Sequence, residues 1–481
     1  MARRRKSTRE KAPSTRTPRT RRARGRSPKK RPASGQAPAK PRARRQPRCS
    51  LGLRERFREL LSPKRVWATA RAAGFVQREG KINPFVFVWS LVLGFSAGSE
   101  RTVSSLRRGF ERAARRRLVP SSFYDRFNAG LVELLRRLIA HLLATPGTAL
   151  GRLGGSLGGF RDVMLADASV LRLRDRLEKL FPACRTNHTK AAAKLHAVMS
   201  VTGAGQESIT VTGERTNDRH ALRIGPWVRD RLLLIDLGYF GYRLFDRIRR
   251  NGGSFISRLK KNGNPRIVAV NRRWRGKSVP LVGERLQDVL PRLTRQVLDV
   301  MVEVSFMRRT YARKMTRATT TFRLVGVRDA ESGEYHLYVT DVPPAKLSAQ
   351  NVALAYRARW EIELLFKAWK TEFRLDELPS RKPDVVRALI YAAVITMLVT
   401  RRLHALLRAK LGPSARRATA ARVATLVREL ASDLLRLVAA VYHDRALERE
   451  VSALLLHEAV APHLHRIGLL ERASAITREC L

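Results

Sequence analysis

Two short runs made wholly of apolar residues, Val163-Met164-Leu165-Ala166 and Leu232-Leu233-Leu234-Ile235, each lead directly into an aspartate, Asp167 and Asp236. Their length and composition predict buried strands. An acid at the end of a buried strand is costly unless it meets a cation, a strong hydrogen-bond partner or solvent. A single case is most often an ordinary strand end facing water, but two in one stretch of chain point to a metal site. Further β-type runs at Leu195–Val201, Ser208–Thr212 and Phe255–Leu259, with a helical stretch at Tyr242–Arg250, make this an α/β domain.

The surrounding text divides the chain. Residues 1–50 hold 20 Lys/Arg against the single acid Glu10, with seven prolines, and such a segment cannot bury enough surface to fold alone. It reads as a disordered basic tail that tethers DNA through phosphate charge. Residues 51–150 are helical, with apolar positions recurring at three and four, as in Leu131–Leu143; in a DNA-acting protein this is the candidate DNA-binding domain. The stretch Gly151–Gly159 is a linker, and the catalytic domain is expected over 160–380. Residues 264–320 combine 13 Lys/Arg with four acids and mixed β signals, and they read as a β-rich insertion. A hairpin follows at Phe322–Val327 and Tyr335–Thr340, turning at Glu331-Ser332-Gly333. Residues 381–481 form a helical C-terminal region.

A net charge of +57 over 481 residues far exceeds what solubility needs, so the partner is polyanionic, with DNA or RNA first. No membrane span is expected: Phe85–Leu93 and Ala388–Val399 fall short of the ~20 apolar residues a spanning helix needs and read as buried helices. Cys49, Cys184 and Cys480 are too few and too scattered for a disulfide framework or a zinc ribbon, which fits a reducing cytoplasm. The basic start lacks the apolar stretch of a signal peptide, and its prolines oppose the amphipathic helix of a transit peptide. Nucleotide hydrolysis is excluded, because Asn271 stands where the first glycine of a phosphate loop ending at Gly276-Lys277-Ser278 belongs.

The third carboxylate lies on a helix predicted from about Ser348 to Phe373. At about 100° per residue, Tyr356, Arg359, Glu363 and Lys370 share an arc of roughly 60°, with Lys367 beside them. Ala358, Ile362, Leu365 and Trp369 form the face expected to pack on the sheet. Glu363 thus sits between cations, with Lys370 about 10 Å further along the axis, at the reach of a nearby phosphate. Taken alone, this could equally be a solvated face of i,i+4 ion pairs. With Asp167 and Asp236, it makes a set of hard oxygen ligands that selects Mg²⁺ or Mn²⁺. Two such ions could activate an attacking oxygen and stabilise a leaving one, with no covalent enzyme intermediate.

At these residues the chain resembles the DDE transposases of bacterial insertion sequences, in the group with a Y-x(2)-R-x(3)-E-x(6)-K signature. The segment Tyr356-Arg357-Ala358-Arg359-Trp360-Glu361-Ile362-Glu363-Leu364-Leu365-Phe366-Lys367-Ala368-Trp369-Lys370 carries the signature complete and selects Glu363 over Glu361. Asp236-Leu237-Gly238-Tyr239-Phe240 is similar to the group's D-x-G-Y-F block, and Asn251-Gly252-Gly253-Ser254-Phe255 to the turn and strand after it. Leu237 departs from the pattern, where a basic residue is common. The resemblance implies a ribonuclease-H-like fold, two metal ions held by Asp167, Asp236 and Glu363, and DNA contacts from Tyr356, Arg359 and Lys370. It further implies double-stranded DNA partners, the element's terminal inverted repeats and the target, handled by a homodimer.

Two other clusters stand out. His457-Glu458 with His463 and His465 lacks metalloprotease spacing. Arg273 and Trp274, within Arg272-Arg273-Trp274-Arg275, could stack an unpaired base. His188 and His196 read as structural. The rival functions are a nuclease of the same fold and a transposase-derived DNA-binding protein without catalysis.

Overall fold

The computed structural model describes residues 50–462 apart from 79, 81, 98–101, 146–151, 185–188, 204, 206, 272–279, 310–314, 361–377 and 379. The strands are β1 (Asp162–Leu173), β2 (Ala191–Ser200), β3 (Ser208–Gly213), β4 (Arg231–Ile235), β5 (Ser254–Arg258), β6 (Arg266–Val270), β7 (Val297–Arg309), β8 (Met315–Arg328) and β9 (Tyr335–Thr340). They make one sheet in the order β3-β2-β1-β4-β5-β9-β8-β7-β6. The β1–β4 and β4–β5 pairs are parallel, and the other neighbours run antiparallel.

The first strand is longer than its apolar run, and the pairing explains why. Beside β4, from Asp162 to Ala166, every residue of β1 is buried, which is why this part reads as a continuous apolar segment. Beyond Ala166 the strand continues along β2 as far as Leu173 opposite Ala191, and its burial begins to alternate. Asp167 is therefore not at the end of its strand. It is the first residue past the parallel ladder, which closes at Ala166 opposite Ile235.

The segment 264–320, expected as an insertion outside the α/β unit, supplies β6, β7 and the start of β8 to the same sheet. Buried Arg323 on β8 fastens this extension: it makes a two-pronged ion pair to Asp299 on β7, at 2.9 and 2.6 Å, and donates to the carbonyls of Val342 and Leu347. The hairpin between β8 and β9 turns where expected. There Asp329 accepts the N–H groups of Glu331 and Ser332, and Gly333 takes a φ of 71°.

Helices cover both faces. On one side α7 (Asp218–Ala221), α8 (Tyr242–Arg250) and α9 (Leu286–Val289) accompany a core in which Phe245 stacks on Phe255 at 4.2 Å between ring centres. The other side carries the larger core. Its N-terminal helices are α1 (Leu53–Leu60), α2 (Pro63–Ala72), α3 (Pro84–Ala97), α4 (Val103–Ala114), α5 (Pro120–Tyr124) and α6 (Ala129–Ala144). They pack with α10 (Ala349–Arg357), α11 (Pro383–Leu411), α12 (Ala420–Glu429), α13 (Ala431–Ala439) and α14 (Arg445–Glu458). The helical regions 51–150 and 381–481, expected as separate blocks, thus share one core where they are described. The Thr396 hydroxyl on α11 reaches the Val92 carbonyl on α3 at 2.5 Å, and Arg54 on α1 reaches the Ala440 carbonyl after α13. By length and hydropathy α11 could cross a membrane, but 78% of its apolar window is buried inside the molecule; it is a central core helix, as is α3.

Candidate active site

The parallel ladder brings Asp167 and Asp236 side by side, each following a member of the Ala166–Ile235 pair. Asp167 faces the larger core by strand alternation, in phase with Val163 and Leu165. Each carboxylate is held in the same way. Asp167 Oδ1 accepts the Ala168 N–H at 2.8 Å, and Asp236 Oδ2 accepts the Gly238 N–H at 3.2 Å. The other oxygens, Asp167 Oδ2 and Asp236 Oδ1, lie 3.6 and 3.4 Å from Nη1 of Arg359. Two hard oxygen donors with fixed orientations therefore converge on one cationic group. The Asp167 side chain is 10% exposed and that of Asp236 34%, so the pair opens toward solvent on the Asp236 side.

Local sequence builds this geometry. After Ile235 the chain leaves β4 in a tight 3₁₀ turn, Leu237–Tyr239, capped by Asp236 itself. Glycine suits 238, because a Cβ there would meet the Asp218 carboxylate at 2.3 Å, and Lys194 holds that carboxylate in place. Tyr239 is buried and donates its hydroxyl to the Asp167 carbonyl at 3.1 Å, while Phe240 packs edge-on against Phe245. Further on, Gly252 takes a φ of 75° and a Cβ at Gly253 would strike the Val228 carbonyl at 2.8 Å. The turn into β5 needs both glycines.

The helix leading to the third carboxylate departs from the expected continuous helix over 348–373. It is capped by Ser348, runs Ala349–Arg357, and tightens at its end into i→i+3 bonds from Ala358 to Ala355 and from Arg359 to Tyr356. Tyr356, expected among the cations on a DNA-facing surface, is 6% exposed, packs on Tyr338 and donates to the Ile235 carbonyl at 3.3 Å. It braces the end of β4. Burial pushes its pKa up to about 12, so the phenol stays a donor. Arg359 lies over the Tyr356 ring and is 12% exposed, turned inward to the aspartates. Glu363, Lys367, Lys370, Arg273 and Trp274 lie outside the described residues, as does His188.

Sequence reasoning overlooked several residues around this pair. Behind it, Asp218 pairs with Lys194 at 3.0 Å and lies 3.6 Å from His196. Only Gly238, with its missing side chain, hinted at so close a neighbour. His196 is buried and sits within β2 rather than at its start. At a distance from the site in sequence, His443, Glu55 and buried Glu448 come together. Glu448 is already engaged by His443 and by the Ser50 hydroxyl, which accounts for it as a bridge between α14 and the start of α1. His457 and Glu458 lie on the exposed end of α14, where Glu458 pairs with Arg422.

A mixed sheet with helices on both faces thus presents two adjacent carboxylates where a parallel ladder ends, an arrangement able to hold a divalent metal ion. The family described as "Transposase DDE domain" matches residues 158–399, and the chain belongs to it. It is a DNA transposase of the insertion-sequence type. The transposase for insertion sequence element IS1151 of Clostridium perfringens is 21% identical over 358 residues, covering 69% of this chain and 76% of the relative. That for IS231B of Bacillus thuringiensis subsp. berliner is 21% identical over 383 residues, covering 70% and 77%. A shorter segment of 73 residues is 37% identical to the putative transposase InsL for IS186A of Escherichia coli K12, covering 15% and 20%. The family acts on DNA and depends on divalent metal.

Proposed function

We propose that Asp167, Asp236 and Glu363 are the metal-holding residues of this transposase, on a ribonuclease-H-like domain. The observation that carries the reading is the pair of backbone-anchored carboxylates whose other oxygens converge on Arg359. Converging carboxylates suit Mg²⁺ or Mn²⁺, and Asp167 and Asp236 together with Glu363 would hold two such ions. When bound, the ions lower the cost of forming the attacking oxygen and of releasing the leaving one in an in-line displacement at phosphorus. The chain's own part is positional. The Ala168 and Gly238 N–H groups aim the two aspartates, and Tyr356 holds the strand end beneath Asp236. Arg359 supplies positive charge that would pass to the scissile phosphate once metal satisfies the carboxylates.

The substrates in this reading are the element's terminal inverted repeats and a target duplex, processed by a homodimer in the cytoplasm. Water nicks each end, and the freed 3′-hydroxyl then joins the target strand. DNA recognition is assigned to the helical region 51–150. There Arg108, Arg112, Arg115, Arg116 and Arg117 are exposed on α4 and the loop after it, next to Val119, which is 66% exposed. Guanidinium groups suit phosphates, and an exposed apolar side chain suits a base edge.

The test uses the full chain with duplex DNA carrying the inverted repeats that flank its gene. The expected result is Mg²⁺- or Mn²⁺-dependent nicking and strand transfer, both abolished in Asp167→Asn and Glu363→Gln. Wild-type activity in either variant refutes the assigned ligands. Nicking without joining would favour a nuclease of this fold.

A further inference from the structure

On the sheet face opposite the Asp167 carboxylate lies a buried polar chain that ends on the Asp167 backbone. Leu195 and Ala197 of β2 face the larger core, so Lys194 and His196 point to the other side. There the Tyr239 hydroxyl lies 3.1 Å from the Asp167 carbonyl oxygen and 3.3 Å from His196 Nδ1. His196 Nε2 lies 2.9 Å from the Thr212 hydroxyl, which itself donates to the Gly213 carbonyl at 3.0 Å. The proton assignment follows from these partners. Thr212 has given its proton to Gly213, so it accepts from Nε2–H. Burial lowers the His196 pKa, against the pull of Asp218, and in the neutral form with a proton on Nε2 the Nδ1 atom is an acceptor. The single Tyr239 proton is left between the Asp167 carbonyl and Nδ1.

The chain is tied to both carboxylates. Tyr239 is the third residue after Asp236, and its turn is pressed against Asp218, which lies 3.6 Å from His196 Nδ1 and is neutralised by Lys194. Tyr239 and His196 are 2% and 4% exposed, so neither can meet DNA. The phenol and the imidazole are bonded in series from the β3 edge to the Asp167 backbone, and a satisfied buried network of this kind rigidifies what it holds.

We propose that Tyr239 and His196, braced by Thr212, are positioning residues that fix the Asp167 backbone from behind and thereby set the site's affinity for divalent metal. This rests on Asp167 being a metal ligand. Partners behind a ligand hold its orientation, and their loss typically weakens metal binding about 10- to 100-fold.

The test is direct Mn²⁺ binding to the full chain, followed by the electron paramagnetic resonance of the free ion, alongside metal titrations of nicking and a thermal melt. Tyr239→Phe keeps the ring and removes only the hydroxyl; Thr212→Val removes the far anchor. The expected result is a Mn²⁺ dissociation constant raised about tenfold in each. The metal needed for half-maximal nicking should rise in step, the rate at saturating metal should stay within about twofold of wild type, and melting should be little changed. An unchanged Mn²⁺ constant in Tyr239→Phe overturns the proposal, whatever happens to activity or melting. Asp167→Asn separates the two levels. If it binds Mn²⁺ like wild type, the ligand assignment itself fails; if it loses the ion while Tyr239→Phe does not, only the positioning role fails.

Discussion

Asp341 shows at a single residue how strongly position governs a carboxyl group. It follows β9 at the end of the sheet opposite the candidate site and accepts the Phe255 N–H at 2.9 Å. Burial pushes its pKa up to about 6 from 3.8, against the pull of that N–H and of the Arg249 and Lys346 cations. The folded state therefore holds this proton more tightly than the unfolded chain, and between about pH 4 and 6 the native protein binds more protons. Stability from this group is fully present at low pH and falls as pH rises through that window. Asp341→Asn keeps the acceptor for Phe255 and removes the ionisation, so it should raise stability at pH 7.5 by roughly 1–2 kcal/mol, allowing for solvent screening. Near pH 4 it should change little. Denaturant melts at the two pH values check this, and equal effects at both would contradict the assigned cause.

Among elements, the connection from the sheet to α10 carries the most weight, because it delivers Tyr356 and Arg359 to the aspartates. Arg323 ties β7, β8 and this connection together through Asp299 and the carbonyls of Val342 and Leu347. Removing one partner of a buried ion pair typically costs about 3–5 kcal/mol. Arg323→Met should lower stability on that scale, whereas the double variant Arg323→Met/Asp299→Leu should recover much of the loss. Urea unfolding of the wild type, the two single variants and the double variant decides it, and an additive double variant would show that the pair is not coupled.

The elements also show what sequence could reach. The D-x-G-Y-F block was readable through its resemblance to the family, and the structure gives three of its positions local roles: a capping acid, a glycine pressed by the Asp218 carboxylate, and a buried tyrosine. Helix α8 and the β8–β9 hairpin came out of periodicity and turn chemistry. The second half of β1 was hidden, since a strand flanked on one side has no continuous apolar run. The turn at Ala358–Arg359 was hidden as well, because residues such as Ala355, Arg357, Ala358 and Arg359 are good helix formers and local sequence carries no stop signal there. The 264–320 segment looked foreign to the sheet for a similar reason: one face of its long ribbon is polar, and pairing with β9 through β8 settles its place only in three dimensions.

For the whole molecule, charge and architecture act separately. The helices before and after the sheet close over one face as a single core, so the regions expected to bind DNA and to end the chain support each other mechanically. The +57 charge, by contrast, is spread over the entire sequence, and 19 of the 97 Lys/Arg fall within residues 1–47. If those residues tether DNA, they do so by displacing counterions, and each phosphate contact contributes about 0.9 to the slope of log affinity against log salt. Deleting residues 1–47 should then flatten that slope by several units for any duplex and weaken binding about tenfold or more near physiological salt. Discrimination between the element's ends and unrelated DNA should survive, because base readout is assigned to the folded part. Filter binding across 50–300 mM salt measures both quantities. An unchanged slope would remove the tail from DNA binding, and a loss of discrimination would place recognition within it.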